Sequence, residues 1–224
     1  MQDAPDEVAA ESAHVLARIQ RGLERTYRIA TGVPVERFVV DEDARDQLTS
    51  ARPAREQLLV SEASGALDLA LYVDAAALAR LDARDPGQRL DEHNLGAFLY
   101  AVEGVSHFVY MVVCAQQARA VSALELELQA EVDKYVVCLL VSGGGPATSR
   151  GWRRRLYDDC VFEADLDADE RDRYRAANQN ARAYTASLER RFVHRRGVLD
   201  MLAELRRFYR LPLGGKLAHI DKAA

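Results

Sequence analysis

The chain has 224 residues, a formal net charge of −5 at pH 7, 49% hydrophobic residues and 29% charged residues. This composition is typical of a globular protein with a sizeable core, and it excludes an intrinsically disordered chain. The acidic N-terminal sequence lacks the pattern of a secretory signal, and the apolar run at 108–115 is far shorter than the roughly 20 residues of a membrane-spanning helix, so we expect neither.

The N-terminal part of the chain predicts one long helix followed by a small sheet. Residues 6–29 have apolar side chains at helical spacing on one face, namely Val15, Leu16, Ile19, Leu23 and Tyr27. Residues 35–40 predict a short strand. Apolar residues then alternate with polar or small ones over 67–73, after a glycine at Gly65, which predicts a β-hairpin. A short helix is expected at 74–82.

The remainder of the chain predicts helices only. Two long helices are expected at about 91–116 and 122–141, and their short connection favours an antiparallel arrangement. Beyond a glycine-rich stretch, one long helix is followed by a last helix at about 197–209. Pro212 and the glycines at 214–215 are expected to end it.

Together these elements predict an α+β fold that is predominantly α-helical. We expect a central antiparallel helix pair, a small N-terminal antiparallel β-sheet and a C-terminal helical region. The expected organisation is an acidic body over 1–141, a glycine-rich linker over 142–149 and a basic helical region over 150–224 that packs on the body.

The segment SALELELQAEVDKY, residues 122–135, concentrates carboxylates in one predicted helix. Ser122 followed by Glu125 has the spacing of a capping box, which assigns Glu125 to helix initiation. The helical spacing directs Gln129 and Asp133 away from the predicted apolar face, so we expect both side chains to face solvent. Glu127 lies in the first turns of the helix, where the helix dipole favours negative charge. With Glu131 it forms a stripe of like charges that capping does not explain.

The preceding predicted helix is apolar almost all round, with polar exceptions that share one side. In an antiparallel helix pair this side is expected to meet the acidic stripe of the next helix. The residues that would converge are Glu103 and His107 with Glu127, Glu131 and Lys134.

This convergence supports two interpretations. In the first, the pairs Glu103–Lys134 and His107–Glu131 form a satisfied buried network that fixes the helix register. In the second, a divalent metal is bound by one imidazole and three carboxylates, which is a donor set suited to zinc, manganese or iron. The expected metal ligands are Glu103, His107, Glu127 and Glu131. Apart from such a divalent metal, no cofactor is expected.

Basic residues concentrate toward the C-terminus. Residues 182–224 contain ten Arg/Lys and four Asp/Glu, a balance of +6, so the preceding residues carry −11 in a chain of net charge −5. This asymmetry predicts a partner-binding surface, and the interleaved aromatic residues leave nucleic acid as an alternative ligand. The expected contact residues are Trp152, Arg153, Arg154, Arg155, Arg190, Arg191, Arg195, Arg196, Arg206, Arg207 and Arg210.

No complete catalytic motif is present in the sequence. Nucleophile elbows, phosphate-binding glycine loops and zinc-protease motifs are all missing, and the three cysteines have no CxxC spacing. The odd number of cysteines is typical of reduced thiols in a cytoplasm. Only three of the 30 basic residues are lysine, which together with the abundant alanine indicates a GC-rich bacterial genome.

The sequence therefore favours a non-enzymatic, cytoplasmic bacterial protein with an interaction or regulatory role. Its basic C-terminal helical region is expected to contact a partner, with no membrane association. A metal-dependent helical enzyme with a His/Glu site between the two central helices is the first alternative. Nucleic-acid binding through the arginine clusters is the second.

Overall fold

The computed structural model describes residues 5–52, 54–63, 65–160 and 166–223, with side chains described from residue 14 onward. The chain divides into two units, one made of residues 1–24 and 30–117, the other of residues 25–29 and 118–224. Helices dominate both units and a small sheet lies in the first. The predicted α+β, predominantly helical class is confirmed.

In its described residues the first unit contains four α-helices, a three-stranded sheet and a 3₁₀ helix at Val35–Phe38, where a strand was expected. The helices are α1 (Pro5–Tyr27, whose last turn belongs to the second unit), α2 (Glu42–Leu48), α3 (Ala75–Ala83) and α4 (Leu95–Gln116). The apolar face predicted for the N-terminal helix is buried. The helix is therefore stabilised by packing of this stripe in addition to its own hydrogen bonds.

The sheet is small and mixed. β2 (Glu56–Ala63) and β3 (Ala66–Val73) form the predicted antiparallel hairpin, with Gly65 at a φ of +78° in its turn. β1 (Val39–Val40) pairs with β3 in parallel, which makes the strand order β1-β3-β2. The expectation of a purely antiparallel sheet is therefore wrong at β1, because the chain returns to the sheet through helix α2 and not through a hairpin turn.

Helix α4 packs against one face of the sheet, and Gly104 allows the close approach. A Cβ built at Gly104 would lie 2.8 Å from Glu56 Cγ and 2.9 Å from Leu71 Cδ1. Among the described residues α4 is the one helix long and apolar enough to cross a membrane, but 78% of its most apolar window is buried. Core helices of globular proteins meet the same criteria.

The second unit is helical throughout its described residues. It contains the last turn of α1, α5 (Ala123–Val141), α6 (Pro146–Arg153), α7 (Ala168–Leu188), α8 (Val198–Tyr209) and α9 (Leu213–Ala223). Helices α6 and α7 continue into single π-helical turns at Arg154–Asp158 and Glu189–Val193. Helix α5 packs on α7, which in turn packs on α9.

Two features of this unit differ from expectation. The glycine-rich stretch 142–149 lies inside the unit, where Gly143, Gly144 and Gly145 have positive φ and Pro146 begins α6. The chain also does not end its helical structure at Pro212. That proline directly precedes α9, a position where its fixed φ and missing N–H are compatible with helix initiation.

Candidate functional site

The first two predicted metal ligands, Glu103 and His107, lie one turn apart on α4. His107 Nδ1 is 3.4 Å from Glu56 Oε1 on strand β2, and both side chains are almost fully buried. Such a carboxylate contact fixes the orientation of an imidazole ring and determines which of its nitrogens carries the proton. Glu103 is partly exposed.

The other two predicted ligands, Glu127 and Glu131, lie one turn apart on α5. Glu127 is buried, with its Oε1 4.0 Å from Arg173 Nε of α7. Glu131 Oε1 accepts a hydrogen bond of 2.6 Å from Lys134 Nζ on the same helix. Cationic groups therefore compensate the repulsion between two like charges at this spacing. The metal site predicted from all four residues stays a prediction.

The expectation that Gln129 and Asp133 face solvent is wrong, since both are buried. Asp133 has 1% of its surface exposed and accepts hydrogen bonds from Tyr27 Oη and, at 2.9 Å, from Gln129 Nε2. Tyr27 belongs to the last turn of α1. Both donors reach the same oxygen, Asp133 Oδ1, and these hydrogen bonds offset part of the cost of burying the carboxylate.

Lys216 of α9 completes this network from the other side. Its side chain is fully buried, with 0% exposure, and its ammonium donates to Gln129 Oε1. The same ammonium lies 4.9 Å from the centroid of the Phe208 ring, in a cation–π contact. Tyr209 stacks on Tyr27 with ring centroids 4.1 Å apart.

We refer to Tyr27, Gln129, Asp133 and Lys216 as the buried polar centre. Burial, followed by the adjacent Asp133 carboxylate, holds the pKa of the Tyr27 phenol well above its ordinary value. The phenol therefore stays protonated and remains a donor at physiological pH. All four side chains are enclosed, which indicates a structural role that fixes α5 and α9 against the end of α1.

A second ionisable cluster lies where α7, α8 and α9 meet. The Glu204 carboxylate contacts His219 Nε2 and lies 3.6 Å from Arg191 NH1. Tyr184 stacks on Phe208 at 3.9 Å between ring centroids. Burial, and then the Glu204 charge, raise the pKa of Tyr184 well above its ordinary value. Its hydroxyl makes no hydrogen bond within the described part of the chain.

A third cluster surrounds Ser149 of α6. The Ser149 hydroxyl lies 2.7 Å from Tyr135 Oη and donates to Glu189 Oε2 at 2.5 Å. Arg153 NH1 approaches the same carboxylate at 3.4 Å. Ser149 and Tyr135 are both fully buried, so this serine is a structural link between α5, α6 and the π-helical turn after α7.

Most arginines of the predicted partner-binding surface make contacts within the second unit. Arg206 Nε donates to the Thr26 carbonyl at 2.8 Å, and Arg210 NH2 donates to the Tyr27 carbonyl at 3.2 Å. These two side chains satisfy carbonyls that the end of α1 leaves without helical partners. Arg190 similarly donates to the Ala223 carbonyl at 3.0 Å, close to the end of α9.

The arginines near Trp152 also have local partners. Arg154 Nε is 3.2 Å from Asp159 Oδ2, and both groups are exposed. Arg153 contacts the Glu189 carboxylate described above, and the Trp152 indole donates to Ser142 Oγ at 3.1 Å. An exposed pair such as Arg154–Asp159 contributes little to stability and remains available to exchange partners.

A different group of arginines remains accessible. Arg155, Arg195, Arg196 and Arg207 are exposed, and no side-chain ion pair or hydrogen bond links them to another described residue. Two of them, Arg195 and Arg196, lie in the turn between the π-helical end of α7 and the start of α8.

This turn also exposes apolar side chains. Val198 and Leu199 begin α8 with 49% and 80% of their surface exposed. We define residues 195–199, Arg-Arg-Gly-Val-Leu, as the α7–α8 corner. It combines accessible positive charge with accessible apolar surface, and the sequence-based prediction had included its arginines without its two apolar residues.

No protein-family model, curated protein or solved structure matches this chain.

Proposed function

We propose that this chain is a non-enzymatic interaction protein that binds an acidic partner protein through the α7–α8 corner. The observation that carries the proposal is Leu199, which is 80% exposed and follows two accessible arginines, Arg195 and Arg196, within one short segment. Protein interfaces combine an apolar core with a polar rim, and arginine is enriched in them.

The charge distribution supports an acidic partner. Residues 182–224 carry a balance of +6, and several arginines of this region are held by backbone carbonyls that do not neutralise them. The two exposed arginines of the corner add to this positive balance, and such charge accelerates association with an acidic surface. The same charge would attract nucleic acid, but the aliphatic residues Val198 and Leu199 provide no stacking platform for bases.

Affinity purification with matched variants tests this proposal. Tagged wild-type protein is compared with Leu199→Ser and with the double variant Arg195→Glu/Arg196→Glu in extracts of the source organism. The control variant is Leu48→Ser, at an exposed leucine of α2 in the first unit with 60% exposure.

We expect one partner protein to be retained by the wild type and by the control but lost from both corner variants. Its retention should decrease with salt and resist nuclease treatment. Retention by both corner variants would overturn the proposal, and release by nuclease would assign the surface to nucleic acid.

A metal-dependent role is a second candidate, supported by His107. The contact between His107 Nδ1 and Glu56 Oε1 at 3.4 Å has the form of the carboxylate–histidine pair that orients a metal-binding imidazole. In this candidate Glu103, one turn before His107 on the same helix, would supply a further donor, and a histidine with carboxylates suits zinc, manganese or iron.

Elemental analysis tests the metal candidate. Protein purified without chelator should contain near-stoichiometric metal, and His107→Gln should lose it while Glu24→Gln, a carboxylate on α1, should retain it. A wild-type protein that contains only traces of metal and binds none on titration would eliminate this candidate.

A further inference from the structure

Strand β2 forms one edge of the sheet in the first unit. The strand order is β1-β3-β2, and β2 pairs with β3 over eight consecutive residue pairs, from Glu56–Val73 to Ala63–Ala66. Natural edge strands are usually protected by lysine, proline or a β-bulge. The sequence of β2, EQLLVSEA, contains neither lysine nor proline, and its register has no bulge.

The register determines which backbone groups of β2 point outward. Asp74 donates to the Arg55 carbonyl at 2.8 Å, so position 55 belongs to the set that bonds to β3. Because the hydrogen-bonding direction alternates along an antiparallel strand, Leu58, Val60 and Glu62 direct their N–H and C=O groups away from β3. Within the described parts of the chain, no backbone group pairs with them from outside the sheet.

The outer part of this strand is accessible. Val60 is 46% exposed, and Ser61 and Glu62 are exposed beside it. The edge therefore presents backbone donors and acceptors together with an apolar side chain, which are the features that allow a peptide to add as a further strand.

The charge of the hairpin indicates which kind of strand would pair with the β2 edge. Residues 56–73 contain three acidic residues, Glu56, Glu62 and Asp68, and no lysine, arginine or histidine. In a second copy of β2 paired antiparallel over 56–62, Glu56 would lie opposite Glu62 at both ends. Like charges in facing positions destabilise strand pairing, whereas a cationic strand would be attracted.

We propose that the β2 edge binds an extended, basic segment of a partner protein by strand addition. The backbone groups of Leu58, Val60 and Glu62 supply the hydrogen bonds. Val60 contacts an apolar side chain of the segment, and Glu62 pairs with a lysine or arginine. This surface lies in a different unit from the α7–α8 corner and does not depend on the function proposed above.

Three synthetic peptides test the proposal by NMR on the full-length, ¹⁵N-labelled protein. The first is the acetylated and amidated peptide KVTVTVK. The second is its acidic counterpart EVTVTVE. The third is KVTVTVK N-methylated at every valine and threonine, which removes the central N–H groups from both of its edges. Amide hydrogen exchange reports the pairing residue by residue.

We expect the basic peptide to protect the amides of Leu58, Val60 and Glu62 from exchange. The amide of Leu59, which already bonds to β3, should change little. Affinity should fall by about tenfold or more for the acidic and for the N-methylated peptide.

The protein variant Val60→Pro removes one outward N–H while leaving the bonds to β3 intact, because proline is tolerated at strand edges. We expect it to lose binding, and Val60→Thr, which keeps the N–H, to retain it. If the exchange rate of the Leu59 amide is unchanged, the hairpin is still formed in that variant.

Three outcomes would overturn the proposal. One is the absence of any protection at β2 with the basic peptide at millimolar concentration. Another is equal binding of the acidic or N-methylated peptide. The last is a concentration-dependent protection of β2 without peptide, which would assign the edge to self-association.

Discussion

Lys216 is a charged residue with no exposed surface, and its ammonium donates to Gln129 inside the buried polar centre. A buried hydrogen-bonded charge is costly to separate from its partner, but replacing both groups by apolar ones can be nearly neutral. The cost of removing only one partner therefore distinguishes a hydrogen-bonded network from apolar packing alone.

We therefore expect Lys216→Met to lower the free energy of unfolding by about 1–3 kcal/mol, because Gln129 loses its buried donor. The double variant Lys216→Met/Gln129→Leu should be less stable still, because Gln129 Nε2 also donates to the buried Asp133 carboxylate. Lys222→Met, at an exposed position of the same helix, should have little effect. Urea unfolding measures all three, and a double variant as stable as Lys216→Met would contradict this interpretation of the centre.

Gly104 is a second residue with a specific structural demand. A methyl group there would lie within 3 Å of both Glu56 Cγ and Leu71 Cδ1, and Leu71 is fully buried. We expect Gly104→Ala to destabilise the protein by about 1–3 kcal/mol, since crowding in a packed interior forces side chains from their preferred rotamers.

Gly96 supplies the matched control, because it lies in the same helix and its added Cβ would contact nothing within 4 Å. Gly96→Ala is expected to stabilise the helix by up to about 1 kcal/mol. Thermal and urea unfolding compare the two variants, and an equal effect of both would show that α4 does not approach the sheet as closely as described.

At the scale of elements, helix α5 concentrates buried groups that titrate at alkaline pH. Burial raises the pKa of the Cys138 thiol and of the Tyr135 phenol to about 12, from ordinary values of 9.0 and 10.0. Above its ordinary pKa each group loses its proton in the unfolded chain but keeps it in the folded one. The resulting stability is fully present below pH 9 and is lost as the pH rises toward 12.

We accordingly expect the free energy of unfolding to decrease above about pH 9, by up to about 1.4 kcal/mol per pH unit for each such group. Cys138→Ala should flatten the first part of this decrease, since the thiol titrates in the unfolded chain before the phenols do. Urea unfolding from about pH 8 to about pH 10 provides the measurement. If the free energy of unfolding decreases with pH equally in Cys138→Ala and in the wild type, the thiol is not buried as described.

Hydrophobic periodicity predicted most helices and the hairpin, because buried stripes with a period of 3.6 or 2 leave a local record in the sequence. Helix α9 was missed, since its two glycines are typical of a helix end and its inward-facing residues include Lys216 and His219. The parallel pairing of β1 was missed as well. The two residues of β1 are too few to indicate from the sequence which strand they pair with.

The candidate sites were less predictable than the fold. Asp133 and Gln129 were assigned to solvent because a polar side chain on a helix faces water by default. Their burial depends on Tyr27, more than 100 positions earlier in the chain, and on Lys216, more than 80 positions later. The arginine clusters were recognised from sequence, but which arginines remain accessible depends on carbonyls at helix ends, and these are determined by tertiary structure.

At the scale of the whole molecule, an acidic chain has a positive balance of +6 in its last 43 residues. Internal contacts use part of this charge, at Arg206, Arg210 and Arg190, and leave Arg195 and Arg196 exposed beside Leu199. The proposed function requires that the α7–α8 corner binds an acidic protein.

Site-specific photo-cross-linking detects such a partner at the corner itself. Benzoylphenylalanine replaces Leu199 in one sample and the exposed Leu48 in a control sample, and both are irradiated in extracts of the source organism. We predict one discrete protein adduct from position 199, lost when Arg195 and Arg196 are changed to glutamate, and none of the same mass from position 48. An adduct that persists after the charge reversal, or no adduct at position 199, would contradict the claim.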